Sequence, residues 1–215
     1  MNSLKIYSVP TYKTTIEKAE NITGDINTLL SEVKKDKQYH ERILYDSLIK
    51  MNIDLDGYDI DTFRIQFKEY LYNVLGLSVE IQDFKYTFNS GSIYNTGKKK
   101  GEKKPSYHVV IPQFYGSSYV IKAIFEDFKK SLNLSKEEAD KIDAYMGATG
   151  TGIWFRLPNQ TKEGKKGTEH IIKNGKLSQF ILHYIPEGCI CINDLDTVKE
   201  LLKPKPEIPK SKSNR

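Results

Sequence analysis

The sequence predicts an α+β fold built on a largely antiparallel sheet with flanking helices. Two stretches, 60–76 and 118–132, carry apolar residues at helical spacing. Strand-like runs at 152–158, 170–173 and 179–186 follow one another without an intervening helix, unlike a strictly alternating parallel fold. The turn "KNGK" (173–176) is of the hairpin kind, which joins antiparallel neighbours.

Along the chain, residues 1–13 read as a short extended lead-in and 14–38 as mainly helical. Asp25 can cap a helix whose apolar positions are Ile26, Leu29, Leu30 and Val33. Residues 40–47 lead into "LIKMNIDLDGY" (48–58), a strand or a run ending in a turn. In the helix 60–76, Phe63, Phe67, Leu71 and Leu75 form one stripe and Gly76 is the stop. Residues 78–88 and 106–112 alternate as strands, and 118–132 is the second clear helix. "SKEEADKIDAYMG" (135–147) reads as a helix opening with a capping box, Ser135 to Glu138. After the three strand runs, 194–203 is a closing helix.

With 215 residues, the chain can form one substantial domain with tails. Its 14 Tyr and 9 Phe argue against a disordered chain. The formal charge of +5 permits a polyanionic partner without requiring one. Lysines concentrate in two Gly-rich loops, as Lys98, Lys99, Lys100 and Lys103 and as Lys165 and Lys166. The two cysteines, Cys189 and Cys191, lack the second ligand pair of a structural zinc site, so no zinc is expected. They read as ordinary thiols on a strand, in keeping with a reducing intracellular compartment. No apolar run of about 18 residues suggests a membrane span, and "MNSLKIYSVPTYK" lacks a secretory pattern.

Three groups of residues can carry chemistry. Asp54 and Asp56, at i and i+2, share one face if 48–55 is a strand. Two close carboxylates repel each other, and a divalent cation with oxygen ligands resolves that conflict. If the run ends there instead, "DLDGYD" is an ordinary Asp/Gly turn. Ser106 and His108 likewise share a face of the next strand, with Lys104 upstream, and hydroxyl, imidazole and ammonium all suit phosphate oxygens. Taken alone, they read more simply as a surface serine and a satisfied histidine at a strand edge. Asp143 lies between an acidic helix and a Gly-rich turn, and Arg156 sits in an apolar run with Lys162 six residues on. Such an arginine needs an anion or a solvated face. Trp154 is a core residue or a platform for a stacked base. "GATGTG" (147–152) lacks the Lys-Ser/Thr of a phosphate loop, and "DLDGYDID" places its glycine wrongly for a calcium loop.

In this order, a hydrophobic strand with Asp-x-Asp, then Lys-x-Ser-x-His, then an Asp followed by "FRL" and a lysine resembles the archaeo-eukaryotic primase superfamily. More closely it is similar to the primase–polymerase domains of viral primase-helicases and the PrimPol group. The match spans roughly 40–186, and "YHERIL" and "HIIKNGKLSQFILHYIP" also resemble the viral branch. The resemblance implies a two-layer core with an RRM-like catalytic module flanked by helices. The division it suggests is an N-terminal extension and helix (1–39), a catalytic domain (40–202) and a basic, Pro-rich tail or linker (203–215).

The implied activity is primer synthesis on single-stranded DNA by two-metal nucleotidyl transfer, with Mg²⁺ or Mn²⁺ as cofactor and NTPs or dNTPs as substrates. Asp54, Asp56 and Asp143 would be the metal ligands and catalytic acids. Lys104, Ser106, His108, Arg156 and Lys162 would bind the nucleotide, and the loop lysines would meet the template. A helicase module in cis or in trans and a viral or mobile-element replication machinery are further expectations. The chain departs from the family pattern at Ile153, where relatives often carry a second arginine, and at Ala144, where they carry valine. It has neither the downstream zinc element of some relatives nor a Walker A motif.

Two alternatives stand beside this reading. A haloacid-dehalogenase-type phosphatase also ends a strand in Asp-x-Asp-Gly, but Tyr58 stands where Thr or Val is wanted. A non-catalytic nucleic-acid-binding module would use the lysines and aromatics and leave the acids as turn residues.

Overall fold

The computed structural model describes residues 3–9, 17–33, 38–89, 91, 93, 100–144, 152–162 and 167–203. Of the expected positions, Lys98, Lys99, Lys165, Lys166, most of the Gly-rich turn and the tail beyond Lys203 lie outside the described residues.

The elements run β1 (Leu4–Ser8), β2 (Glu20–Gly24), α1 (Ile26–Val33), β3 (Tyr39–Ile43), β4 (Leu48–Asp56), α2 (Ile60–Leu75), β5 (Lys85–Phe88), β6 (Ser106–Ser117), α3 (Ser118–Ser131), α4 (Lys136–Ala139), β7 (Ile142–Asp143), β8 (Ile153–Arg156), β9 (Ile171–Asn174), β10 (Ile190–Cys191) and α5 (Asp196–Leu202). They form two sheets, one in the order β2-β1-β3-β8 and one in the order β7-β4-β6-β5-β9. Every pairing along these two orders is antiparallel, and β10 adds a short parallel contact to β6. The class is α+β with antiparallel sheets, as the sequence predicts.

Local signals explain the helix ends. Asp59 caps α2 by accepting from the Thr62 amide at 2.8 Å. Gly76 closes it at φ 69°, a left-handed conformation that costs glycine little. Asp25 caps α1 through the Thr28 amide, and Ser135 and Glu138 form the expected capping box on α4.

Several boundaries differ from expectation. Residues 1–13 contain a strand at the heart of the first sheet, since β1 pairs with both β2 and β3. Within 14–38 only Ile26–Val33 is helical. Glu20–Gly24 is a strand, because β1 offers it five paired positions that outweigh a weak helical pattern. The helix expected over 135–147 stops at Ala139, and Ile142–Asp143 becomes the edge strand β7. The strand expected at 179–186 is a 3₁₀ turn over Leu177–Phe180 followed by irregular chain. "KNGK" turns at Gly175, but β9 pairs with β5 rather than with the following segment, so no hairpin forms there. Strand 106–112 extends to Ser117, and its register against β4 shifts between Lys50 and Met51, leaving Pro112 in the irregular part.

The first question about "LIKMNIDLD" is answered by pairing: it is a nine-residue strand bonded on both sides. Alternation divides its side chains. Met51, Ile53 and Leu55, with Val109 and Ile111 of β6, belong to the main core with Phe63, Phe67, Phe125 and Phe128 of α2 and α3. Phe67 stacks on Phe125 with ring centres 4.7 Å apart. The opposite face of β4 carries Lys50, Asn52, Asp54 and Asp56. There the first sheet approaches: Phe155 of β8 meets the His108 ring at 5.0 Å. Trp154 is buried, edge-on to Tyr7 and under the Arg42 guanidinium.

Gly116 marks a tight approach between β6 and the chain after β10. A Cβ there would meet Ile192 Cγ1 at 2.6 Å and Asn193 Oδ1 at 2.7 Å. The Asn193 carboxamide is already fixed, accepting from the Ser117 amide and donating to the Ser117 hydroxyl. Gly116→Ala is therefore expected to destabilise the fold by about 1–3 kcal/mol, read as a lower urea midpoint.

Candidate functional site

β4 is the spine of the site. Asp54 stands directly opposite His108 on β6 and directly opposite Asp143 on β7. Directly opposed residues of antiparallel strands hold their Cβ atoms about 4.5–5.5 Å apart and share a face. One row across the sheet thus reads Asp143, Asp54, His108. In the next row Asp56 faces Ser106, and the Lys104 ammonium reaches Asp56 Oδ2 at 2.5 Å. Gly57 leaves the strand at φ 81°, and its amide donates to the Pro105 carbonyl at 2.7 Å, tying the ends of β4 and β6 together.

The carboxylates are not an inert set. Desolvation raises the Asp143 carboxyl above its usual range. Lys129 and Lys122 oppose the shift, while Asp56 and Glu126 add to it. Among the described residues, no group of three or more His, Cys, Asp or Glu side chains is assembled closely enough to hold a metal ion. The register gives a pair, Asp54 and Asp143, with Asp56 engaged by Lys104.

On the other side of His108 is a buried basic cluster that local reading of the sequence does not reveal. His170 stacks on His108 with ring centres 3.7 Å apart. Thr87 joins the two: its hydroxyl accepts from the His108 amide at 3.4 Å and lies 3.1 Å from His170 Nδ1. The carbonyl of Thr168 accepts from Arg156 at 2.9 Å and from Asn89 at 2.6 Å, and the Thr168 hydroxyl accepts from the Lys162 amide at 2.7 Å. Residues 168–170 thus act as a strap joining Arg156, Lys162 and His108. His40, opposite Arg156 in the β3–β8 ladder, completes the cluster.

Arg156 is only 7% exposed, its Nε has no hydrogen-bond partner, and no ion pair matches it among the described residues. A buried guanidinium with an unsatisfied N–H is a ready donor to an anion. The histidines beside it are held neutral. Burial, then the His170 imidazole and Arg156, pushes His108 well below the ordinary range; burial, then Arg156 and Lys162, does the same to His170, and burial brings His40 to about 4.

These shifts predict an acid-labile fold. Each histidine binds a proton more readily in the unfolded chain, where its pKa is about 6.5, than in the native state. Proton uptake therefore favours unfolding: the stabilisation is complete above about pH 6.5 and is lost as pH falls toward 4. Each buried histidine contributes a slope of about 1.4 kcal/mol per pH unit in that window. Urea midpoints should fall steadily from pH 7 to pH 5, and His40→Gln should flatten the trend. A flat profile for the wild type would contradict the buried neutral cluster.

The structure thus brings Asp54, Asp56, Asp143, Lys104, Ser106 and His108 to one end of one face, and ties Arg156 and Lys162 to His108 through the strap. Lys100 and Lys103 are exposed on the arm beyond β5 and β6, where Lys103 pairs with Ile93. Lys104 serves the Asp56 carboxylate. The residues missed by sequence reading are His40, Thr87, Asn89, Thr168 and His170. The forward signals were the resemblances to the viral branch of "YHERIL", which contains His40, and of "HIIKNGKLSQFILHYIP", which begins at His170.

No protein-family model matches the chain, and no curated protein sequence matches it significantly.

Proposed function

We propose that the protein is a nucleotidyltransferase of the primase–polymerase kind, acting on single-stranded DNA with NTPs or dNTPs. The observation that carries this reading is the row Asp143, Asp54, His108, which sets paired carboxylates beside a phosphate-seeking cluster. The donor set suits Mg²⁺ or Mn²⁺, being carboxylate oxygen alone, and a bound cation would favour the charged form of Asp143, whose carboxyl is raised first by burial and only secondarily by Asp56 and Glu126. Asp54 and Asp143 would hold it, with Asp56 joining when Lys104 turns to a phosphate. A bound cation supplies neutralisation of the triphosphate and activation of the attacking hydroxyl.

The chain's own residues do the rest. Lys104, paired with Asp56, and Ser106, opposite Asp56, would contact a triphosphate laid against the carboxylates. Neutral His108, its ring stacked on His170 and its backbone amide donating to the Thr87 hydroxyl, would offer a fixed imidazole to a phosphate oxygen. Arg156, with its unsatisfied Nε, offers charge along the same track. Holding the reacting oxygen and the α-phosphorus in line lowers the entropic part of the barrier.

The testing experiment is template-directed incorporation on single-stranded DNA, primed and unprimed, with each nucleotide type and with Mg²⁺ or Mn²⁺. Product that depends on template and divalent ion is expected, and unprimed product would mark a primase. No incorporation under any condition would end this reading. The Lys104–Asp56 pair, which leaves one carboxylate neutralised, is what favours the second reading, a non-catalytic nucleic-acid-binding module. That module would bind single strands equally well after Asp54→Asn and would incorporate nothing. The antiparallel neighbours of β4 leave the phosphatase reading without support.

A further inference from the structure

At the opposite end of β4 from the carboxylates lies a second feature of a different character. The turn between β3 and β4 exposes Leu44, Tyr45 and, at the strand's first residue, Leu48, while α3 exposes Tyr119 beside them. Tyr45 and Tyr119 stack on each other with ring centres 5.3 Å apart and planes 17° from parallel. This exposed pair is rigidly mounted. The Ser118 hydroxyl lies 2.6 Å from the carbonyls of both Leu44 and Tyr45 and shares its one O–H between them. The Tyr119 amide donates to the Tyr45 carbonyl, and the Ser118 amide to the Ser47 carbonyl.

Next to the pair is a cleft of about 510 Å³ whose polar lining includes Lys5, Arg42 and His183 and, among the described residues, no carboxylate. Arg42 is held in place by its seat 4.5 Å from the centre of the Trp154 ring. Glu17 contributes negative charge near Arg42 and Asp46 sits at the turn, but neither lines the cleft.

Large exposed aromatic faces beside fixed cations define a particular ligand chemistry. Bases stack on such rings whatever their sequence, and the cations meet the backbone phosphates between them. A purely apolar partner would leave Lys5 and Arg42 unmatched, and a free anion would leave the rings unused. We propose that Tyr45, Tyr119, Lys5 and Arg42 form a single-stranded nucleic-acid binding surface, separate from the carboxylate site. Leu48 to Asp54 spans six residue steps of strand, about 20 Å, so one strand contacting both places would cover several nucleotides. The surface shares with the proposed function only the kind of strand bound, and its test uses no catalysis.

The test is fluorescence anisotropy of a labelled oligothymidylate of about 16 nucleotides, without nucleotide or divalent ion. The full chain is expected to bind it. Tyr45→Ala with Tyr119→Ala should weaken binding about tenfold or more, and Tyr45→Phe with Tyr119→Phe should restore it. Lys5→Gln with Arg42→Gln should reduce the slope of log affinity against log salt by about 1.4, two phosphate contacts' worth for a single strand. Because the assay contains neither nucleotide nor divalent ion, loss of binding here leaves the catalytic reading standing, and absence of incorporation leaves this surface standing. Wild-type affinity in the double alanine variant, equal weakening on an abasic strand, or an unchanged salt slope would each overturn the proposal. So would a change of sedimentation on removing the two rings with affinity unchanged, which would assign the patch to protein association.

Discussion

Asp54→Asn is expected to lower template-directed incorporation by about 10²–10³-fold or more, with a melting temperature equal to or above that of the wild type. Both halves follow from one geometric fact. Asp54 is centred between His108 and Asp143, so under the proposed function its carboxylate would share a cation with Asp143 and lie beside the His108 imidazole. Asparagine keeps the shape and one acceptor oxygen but loses the charge, which is what transition-state stabilisation by a cation requires. The same change removes a like-charge neighbour of Asp143, a pairing that destabilises opposed strand positions. Asp143→Asn should behave alike, and the double variant should lose little more than either single one, since residues acting as a unit are not additive. Steady-state incorporation and thermal melting on the same preparations check both parts. Full activity in either single variant would remove Asp54 and Asp143 from the chemistry.

The largest loss of stability is expected at Glu41, a residue outside the proposed chemistry. Its carboxylate is 1% exposed and accepts from the amides of Leu182 and His183, at 2.7 and 2.9 Å, and sits 2.9 Å from His183 Nδ1. Close by, the equally buried Lys50 ammonium donates to the carbonyls of Ser178, Gln179 and Ile181, and its backbone amide donates to Leu182. Burial lowers that ammonium to about 8, and the Glu41 charge works against the shift. β3 and β4 therefore grip residues 178–183 from both sides with opposite charges. Glu41→Ala would strand two amides and leave the lysine without its counter-charge. Such one-sided removals cost about 3–5 kcal/mol, or about 6–20 °C in melting temperature for a chain of this size. Glu41→Gln should cost less, since it retains one acceptor. A shift below about 3 °C for the alanine variant, followed by circular dichroism, would show that the grip is dispensable.

That grip also explains one of the misread elements. Residues 179–186 look like a strand because Phe180, Ile181 and Leu182 form an apolar run, and all three are fully buried. Burial is legible in composition, but the reason the segment is not a strand is not. Its amides and carbonyls are met by the side chains of Glu41 and Lys50, more than a hundred residues away in sequence. Similarly, Glu20–Gly24 carries too little pattern to declare itself, and the free edge of β1 decides its state.

Where interactions are confined to three or four residues, the sequence was sufficient. It determined the caps at Asp25 and Ser135, the stop at Gly76, the apolar stripe of α2 and the antiparallel α+β class. It also implied that, if these runs are strands, Asp54 and Asp56 share a face of one and Ser106 and His108 a face of the other, because side-chain alternation is a local property of a strand. Which face meets which was decided by the tertiary structure alone. Nothing near Asp143 says that it pairs with Asp54, and nothing near His170 says that it stacks on His108. Those meetings depend on strand register and on a strap crossing from the other side of the fold. Register is set by how the whole hydrophobic face of β4 packs against α2 and α3, a condition spread over the chain and written at no single position.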